Sequence, residues 1–338
     1  MTRYVVVGAG ALGALLAAQL WQADIPVVLV ARGENLRAIR DRGVTVHRPD
    51  GTDVVRVPVA GRPDEVDLTA DDILMLATKT QDVEQVLQEW SWQPVEGGGL
   101  AADLPVVTLH NGLAAEHAAL RRFSAVFGAS LWIATSYLVP GEIVSPSWPV
   151  IGLAWIGAVG SATAAVAAQV AADFERAGYA ARVVDDIAGV KAHKLLGNLS
   201  NALDLFEGEP QQFAHARERI TAEAVEVYAA AGVVAIDPSV QAGIGFEALH
   251  IRAVPGQLAG KRSTWQSFAR GSSSEIDFLN GEIVLLGRLH SVAMPVNERI
   301  QRVLGALATA GGGAVSRDID LILPHELRAP NSNRKAAV

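Results

Sequence analysis

The chain runs almost at once from an apolar stretch into three spaced glycines, YVVVGAGALG over residues 4–13. Few patterns limit a fold more. A β-type run that ends in G-x-G-x-x-G and opens a helix builds a phosphate site from backbone alone. Gly8 permits the tight turn, Gly10 lets a pyrophosphate approach the main chain, and Gly13 lets the helix pack on the strand. Ala11, Leu12 and Gly13 then offer first-turn N–H groups, and the helix dipole points at the anion. The helix expected over 11–22 and a second strand at Val27–Val30 give the motif its β-α-β setting.

The end of that second strand reads VVLVARGEN. An NAD site usually carries an acid here to bind the ribose hydroxyls. This chain has Val30 and Ala31, then Arg32, whose forked guanidinium suits a 2′-phosphate, with Arg37 close behind. The pattern predicts NADP(H) as cofactor. The alternative leaves Arg32 as a solvated loop charge and Glu34 as the ribose acid.

The 338 residues suit two domains, and with half of them hydrophobic and 19% charged they can bury a sizeable core. A formal charge of −8 gives no general attraction to nucleic acid or anionic membrane. The absence of Cys removes disulfides, thiol catalysis and cysteine zinc sites. The eight histidines form no HxH or HExxH pair, so no metal site is expected. No charge falls between Glu142 and Asp173, a length that raises the question of a membrane span. Pro146, Pro149, Gly152, Gly157 and Gly160 break that run, and Ser161 fits the N-cap of an Ala-rich helix. The expectation is strand–turn–helix in a soluble, cytoplasmic protein without a signal segment.

The first half alternates strands and helices, which implies a largely parallel sheet covered on both faces. Strands are expected at Tyr4–Val7, Val27–Val30, Ile73–Ala77, Val106–His110, Ser130–Thr135, Val150–Ile156 and Ala181–Val184. A hairpin insertion is expected within 44–60, turning at Pro49–Gly51. From about Asp186 helical periodicity takes over, through 188–206, 210–233, 239–255, 275–291 and 295–310. The reading is α/β: an N-terminal Rossmann-type doubly wound sheet (1–186), an all-helical C-terminal substrate domain (187–327) and a flexible tail (328–338).

Chemistry is expected at two places in the second half. In GVKAHKLLGNLSNALDLF, Lys194, Asn198 and Asn201 fall at i, i+4 and i+7 on one helix face, suited to gripping a carbonyl and a carboxylate. A plain solvent-facing stripe is the competing account, and Lys191 and His193 look peripheral. In STWQSFARGSSSEIDFLNG, Ser272 and Glu275 fit a capping box, which would explain Glu275 by structure alone. Asn280-Gly281 suggests a close approach to the backbone. Lys79 and Asn111 follow first-domain strands, where open α/β sheets bind ligands.

Taken together, GAGALG (8–13), VARGENLRAIRDRG (30–43), the Lys79 strand end, HNG (110–112), KLLGN (194–198) and S-x-x-Q…SEIDFLNG (263–281) resemble the ketopantoate reductases. The resemblance implies NADPH-dependent reduction of ketopantoate to pantoate. It implies that Lys194 is the catalytic lysine, that Asn198 and Ser263 bind substrate, and that Glu275 contacts it. It also implies that Lys79 and Asn111 lie near the cofactor and cleft, and that Arg32 holds the 2′-phosphate. Asn201 stands one position before the family's second asparagine, whose place Ala202 takes, and the segment after Gly141 lacks the family's His. Reduction of another branched 2-oxo acid, or a non-catalytic NADP(H)-binding regulator, are the alternatives. A homodimer is compatible with the chain; partners other than a small molecule are not expected.

Overall fold

The computed structural model describes residues 1–137, 139–255, 262–269, 271 and 274–323. Ser272 and the tail at 328–338 lie outside the described residues. The chain divides into two compact units, Met1–Lys194 with Ala235–Gly260, and Leu195–Val234 with Lys261–Val338.

In the first unit β1 (Arg3–Val7), α1 (Ala11–Gln22), β2 (Val27–Val30) and α2 (Gly33–Arg42) form the expected opening. The insertion is the hairpin β3 (Val44–Arg48) and β4 (Gly51–Val55), after which β5 (Val59–Ala60) rejoins the main sheet beside β2. Then follow β6 (Asp72–Leu76), α3 (Val83–Trp90), β7 (Pro105–Thr108), α4 (Ala114–Ala119) and β8 (Ala125–Trp132). The chain continues through β9 (Glu142–Val144), β10 (Ser147–Pro149), β11 (Leu153–Val159), α5 (Ala164–Arg176), β12 (Ala180–Val183) and α6 (Ile187–Asn198). The uncharged stretch is therefore strands and one amphipathic helix, whose N-cap position is Thr163 rather than Ser161 and carries no side-chain cap. Among the described residues no helix is long and apolar enough to cross a membrane.

The eight strands of the main sheet run in the order β12-β11-β8-β7-β6-β1-β2-β5. From β5 to β8 neighbouring strands are parallel, and β11 pairs antiparallel to β8. Period-two alternation splits the side chains between faces. Tyr4, Val6, Ile73 and Met75 enter one apolar cluster, with α1 and α5. Val5, Val7, Leu74 and Leu76 enter the other, with α3 and α4.

A third cluster lies just past residue 186, where the helical half of the chain is expected to begin. Ile187 and Val190 of α6 pack with Leu153 and Trp155 of β11, so the start of this helix belongs to the sheet. The same cluster takes in Ile236, Ile244, Phe246 and Leu249. The helix expected over 239–255 is accordingly only a short one, ended by left-handed Gly243. Residues Leu249–Ile251 instead pair antiparallel with β10.

The second unit begins as α6 tightens into a 3-10 helix, Leu199–Leu205. A 22-residue helix, α7 (Pro210–Ala231), follows with Pro at its first position and Gly232 left-handed at its end. The short helix just described (Pro238–Ala242) is α8, and α9 (Ser263–Ala269), α10 (Asn280–His290) and α11 (Pro295–Thr309) complete the set. The buried Glu223 carboxylate of α7 accepts from the backbone N–H groups of Val296 and Asn297, capping α11 from a distance. Asn297 donates back to Glu223 at 2.9 Å and accepts from Asn280 at 3.0 Å. Asn280 also donates to the Leu199 carbonyl at 3.3 Å, tying α10 to the start of the 3-10 turn. Gly281 lies in the first turn of α10, not inside a longer helix, and a Cβ there would sit 2.8 Å from Gln301 of α11.

Candidate active site

The glycine turn has the shape its residues predict. Gly8 has φ +110°, and a Cβ on it would lie 2.8 Å from the backbone of Ala77 and Thr78. A Cβ on Gly13 would lie 1.9 Å from the Gly8 carbonyl oxygen. Both sites admit only glycine. Gly10, by contrast, has open space where a side chain would stand, and no side chain caps α1 among the described residues. The first-turn N–H groups of Ala11, Leu12 and Gly13 therefore face a cradle that fits a pyrophosphate. The Asn35 amide bridges this turn to the rest of the unit, donating to the Ala9 carbonyl and accepting from Gly141 N–H at 2.7 Å.

Arg32 is the residue before α2, extended and exposed. Its guanidinium pairs with Glu89 of α3. Both partners are partly in water, so the pair is weak and open to competition by a stronger anion. Glu34 is exposed and faces Arg37 at 3.8 Å.

The parallel strands deliver the remaining first-unit candidates to the carboxyl edge of the sheet, where such folds bind ligands. Lys79 follows β6, in the segment that lies against Gly8. Asn111 follows β7, half-buried between buried His110 and left-handed Gly112. Thr78 Oγ1 and His110 Nε2 lie 3.4 Å apart, joining the two strand ends.

β8 governs where Lys194 goes. Gly128, Ser130 and Trp132 share the face of β8 that carries α6. A Cβ on Gly128 would come within 3.0 Å of Ile187 and 3.3 Å of Glu116, so this glycine lets the helix settle onto the strand. Two turns further along α6, Lys194 donates to the Leu131 carbonyl, with its ammonium 6.0 Å from the centre of the Trp132 ring. An ammonium has three donors, so one can hold the strand while another meets a ligand.

Between these points lies a buried ion pair that nothing in the local sequence marks. Lys191, read as peripheral, is buried and ion-paired with buried Glu116 of α4, which also accepts from Thr108 Oγ1 at the end of β7. Burial alone would raise the Glu116 carboxyl above its ordinary value. The charge and hydrogen bond of Lys191, with the Thr108 hydroxyl, outweigh it and hold the group below. Glu116 thus fastens both the loop after β7, carrying Asn111, and α6, carrying Lys194.

In the second unit the winding changes after Asn198. In a 3-10 helix, side chains three apart eclipse one another. Asn201 and Asp204 therefore follow Asn198 in line, while Ala202 turns into the core at 1% exposure. Arg262 holds this row, bonding Asp204 through Nη2 at 2.6 Å and reaching Asn201 Oδ1 at 3.4 Å. Ser263 comes next, at the start of α9. Glu275 opens a 3-10 turn whose cap is Ser274, which accepts from Ile276 N–H at 3.1 Å. This corrects the capping-box reading: the cap is Ser274, and Glu275 is half-buried in the first position after it.

A doubly wound sheet whose glycine turn leaves first-turn N–H groups open, with a lysine held at its carboxyl edge, is a framework on which nucleotide-dependent oxidoreductases are built. The family model described as "Ketopantoate reductase PanE/ApbA" matches residues 4–159, and its C-terminal counterpart matches residues 188–308. The chain belongs to this family. It is 24% identical over 314 residues to a 2-dehydropantoate 2-reductase of Pyrococcus horikoshii, covering 91% of this chain and 98% of the relative. The enzyme of that name from Caulobacter vibrioides is 28% identical over 323 residues, covering 91% and 100%. Among solved structures, a PanE/ApbA family ketopantoate reductase from Ralstonia eutropha superimposes with a TM-score of 0.71 at 24% identity, covering 91% and 99%. D-mandelate dehydrogenase with NADH and anilino(oxo)acetate does so with a TM-score of 0.75 at 20% identity, with the same coverage.

Proposed function

We propose that the protein is an NADPH-dependent reductase that converts a 2-oxo acid to the 2-hydroxy acid. Ketopantoate is the acid supplied by the relatives' names. The observation that carries the reading is Lys194, seated at the carboxyl edge of a sheet whose glycine turn is shaped for a pyrophosphate. Gly8, Gly10, Ala11, Leu12 and Gly13 would hold the pyrophosphate of the nucleotide. Arg32 would take its 2′-phosphate in exchange for Glu89, and Lys79 and Asn111 would contact it further along. When bound, the nicotinamide supplies a hydride.

The protein's own part is position and a proton. Lys194 donates to the carbonyl oxygen and protonates the alkoxide as it forms. Its anchor on the Leu131 carbonyl limits the rotamers it must give up to do so. Asn198, Asn201 and Ser263 orient the acid, with Asn201 held by Arg262 and Asp204. Glu275 would accept from the substrate. The reading is tested by following NADPH absorbance with ketopantoate and a panel of other 2-oxo acids. Saturable consumption with one of them supports it. NADPH binding without turnover on any acid would instead favour a non-catalytic nucleotide-binding protein.

A further inference from the structure

Trp132 gives the Lys194 site a chemical character beyond the catalytic lysine. The indole stands at the end of β8, and its centre is 6.0 Å from the Lys194 ammonium. It packs against Phe246, with centroids 4.5 Å apart and planes at 54°. Phe246 in turn meets Trp155 at 5.8 Å and 59°. Phe246 belongs to the segment that follows α7, whose described residues 235–255 belong to this unit. The indole is half-buried, and its polar atom, Nε1, is enclosed without a hydrogen-bond partner among the described residues. The part of this wall open to a ligand is therefore carbon.

We propose that Trp132, backed by Phe246, selects a 2-oxo acid with a flat aromatic substituent on its reacting carbonyl, over the hydroxyl-bearing branch of ketopantoate. The proposal rests on the reductase reading and on Lys194 as proton donor. A carbonyl oxygen bonded to Lys194 lies about 2.9 Å from Nζ. An aryl group on the carbonyl carbon then extends to the separation, about 4.5–7 Å between centroids, at which tilted rings attract. A hydroxyl in the same place would lose its water and find no partner on the wall. The reaction balances as before. C2 of the aryl 2-oxo acid gains the hydride of NADPH, its oxygen gains the proton of Lys194, and solvent restores that proton. The products are the 2-hydroxy acid and NADP⁺.

The test compares kcat/KM for phenylglyoxylate and for ketopantoate in the wild-type protein, Trp132→Val and Phe246→Leu, with KM for NADPH as control. The wild type is expected to favour phenylglyoxylate by about tenfold or more, the scale on which apolar pockets discriminate. Trp132→Val is expected to reduce or reverse that ratio by about tenfold, and Phe246→Leu to move it the same way by less. If Trp132→Val does not fold, the smaller Phe246→Leu change decides. A wild-type preference for ketopantoate, or an equal fall on both acids in the variants, overturns the wall and leaves the reductase standing. No turnover with either acid overturns both.

Discussion

Replacing Glu116 with Gln keeps the shape of the side chain and removes its charge, leaving the Lys191 ammonium buried beside a neutral amide. Both groups are almost wholly enclosed, with side chains 8% and 3% exposed. Breaking one partner of a buried pair costs about 3–5 kcal/mol. For a unit of this size each kcal/mol moves Tm by about 2–4 °C, so Glu116→Gln should melt roughly 10 °C below the wild type. The pH dependence carries a sign. Glu116 is held below its ordinary 4.5, so its contribution is complete above that value and is lost as pH falls through the lower folded value. In Lys191→Met the cause of that lowering is gone and burial favours the protonated acid. That variant should lose stability as pH rises from about 5 to 8, opposite in sign to the wild-type carboxylate. Glu116→Leu with Lys191→Met removes both charges and should recover most of the loss. Thermal melts across pH provide the assay. A Glu116→Gln Tm within 2 °C of the wild type, or a double variant no better than the worse single, would refute a charge clamp under α6.

Arg32→Gln should raise KM for NADPH by about tenfold and leave NADH nearly unchanged, because only NADPH offers the phosphate. Glu89→Gln should lower KM for NADPH by freeing that guanidinium; equal effects of Arg32→Gln on the two nucleotides would return Arg32 to the solvent. Asn280→Ala leaves the Leu199 carbonyl and Asn297 Oδ1 without their donor, at about 1–3 kcal/mol each. Denaturant unfolding should show that loss, and KM for the acid should rise while KM for NADPH holds, since the released turn carries Asn201.

The parts of this molecule that follow from local chemistry are legible in its sequence. The glycine turn is one, because Gly8 and Gly13 answer to atoms within the same β-α-β unit or just across it. The helices beginning at Pro210 and Pro295 are others, marked by the residue that cannot sit further in. What is not legible depends on distant partners. Glu116 and Lys191 are 75 residues apart, and nothing around either one marks a buried ion pair. The return of residues 235–255 to the first unit is decided by Phe246 and Ile244 finding β11 and Trp132, so helical periodicity misleads there. The tightening of the backbone after Asn198 is likewise unmarked in the sequence, although Asn201 follows Asn198 on one face under either winding.

Lys194 is proposed to supply the proton, on a protein whose nucleotide site would be built elsewhere, by the glycine turn. Single-turnover reduction in Lys194→Ala, measured alongside NADPH affinity, separates the two. The account predicts turnover reduced by about 10²–10⁴-fold with the NADPH Kd within about threefold of the wild type. Near-normal turnover in Lys194→Ala would contradict it.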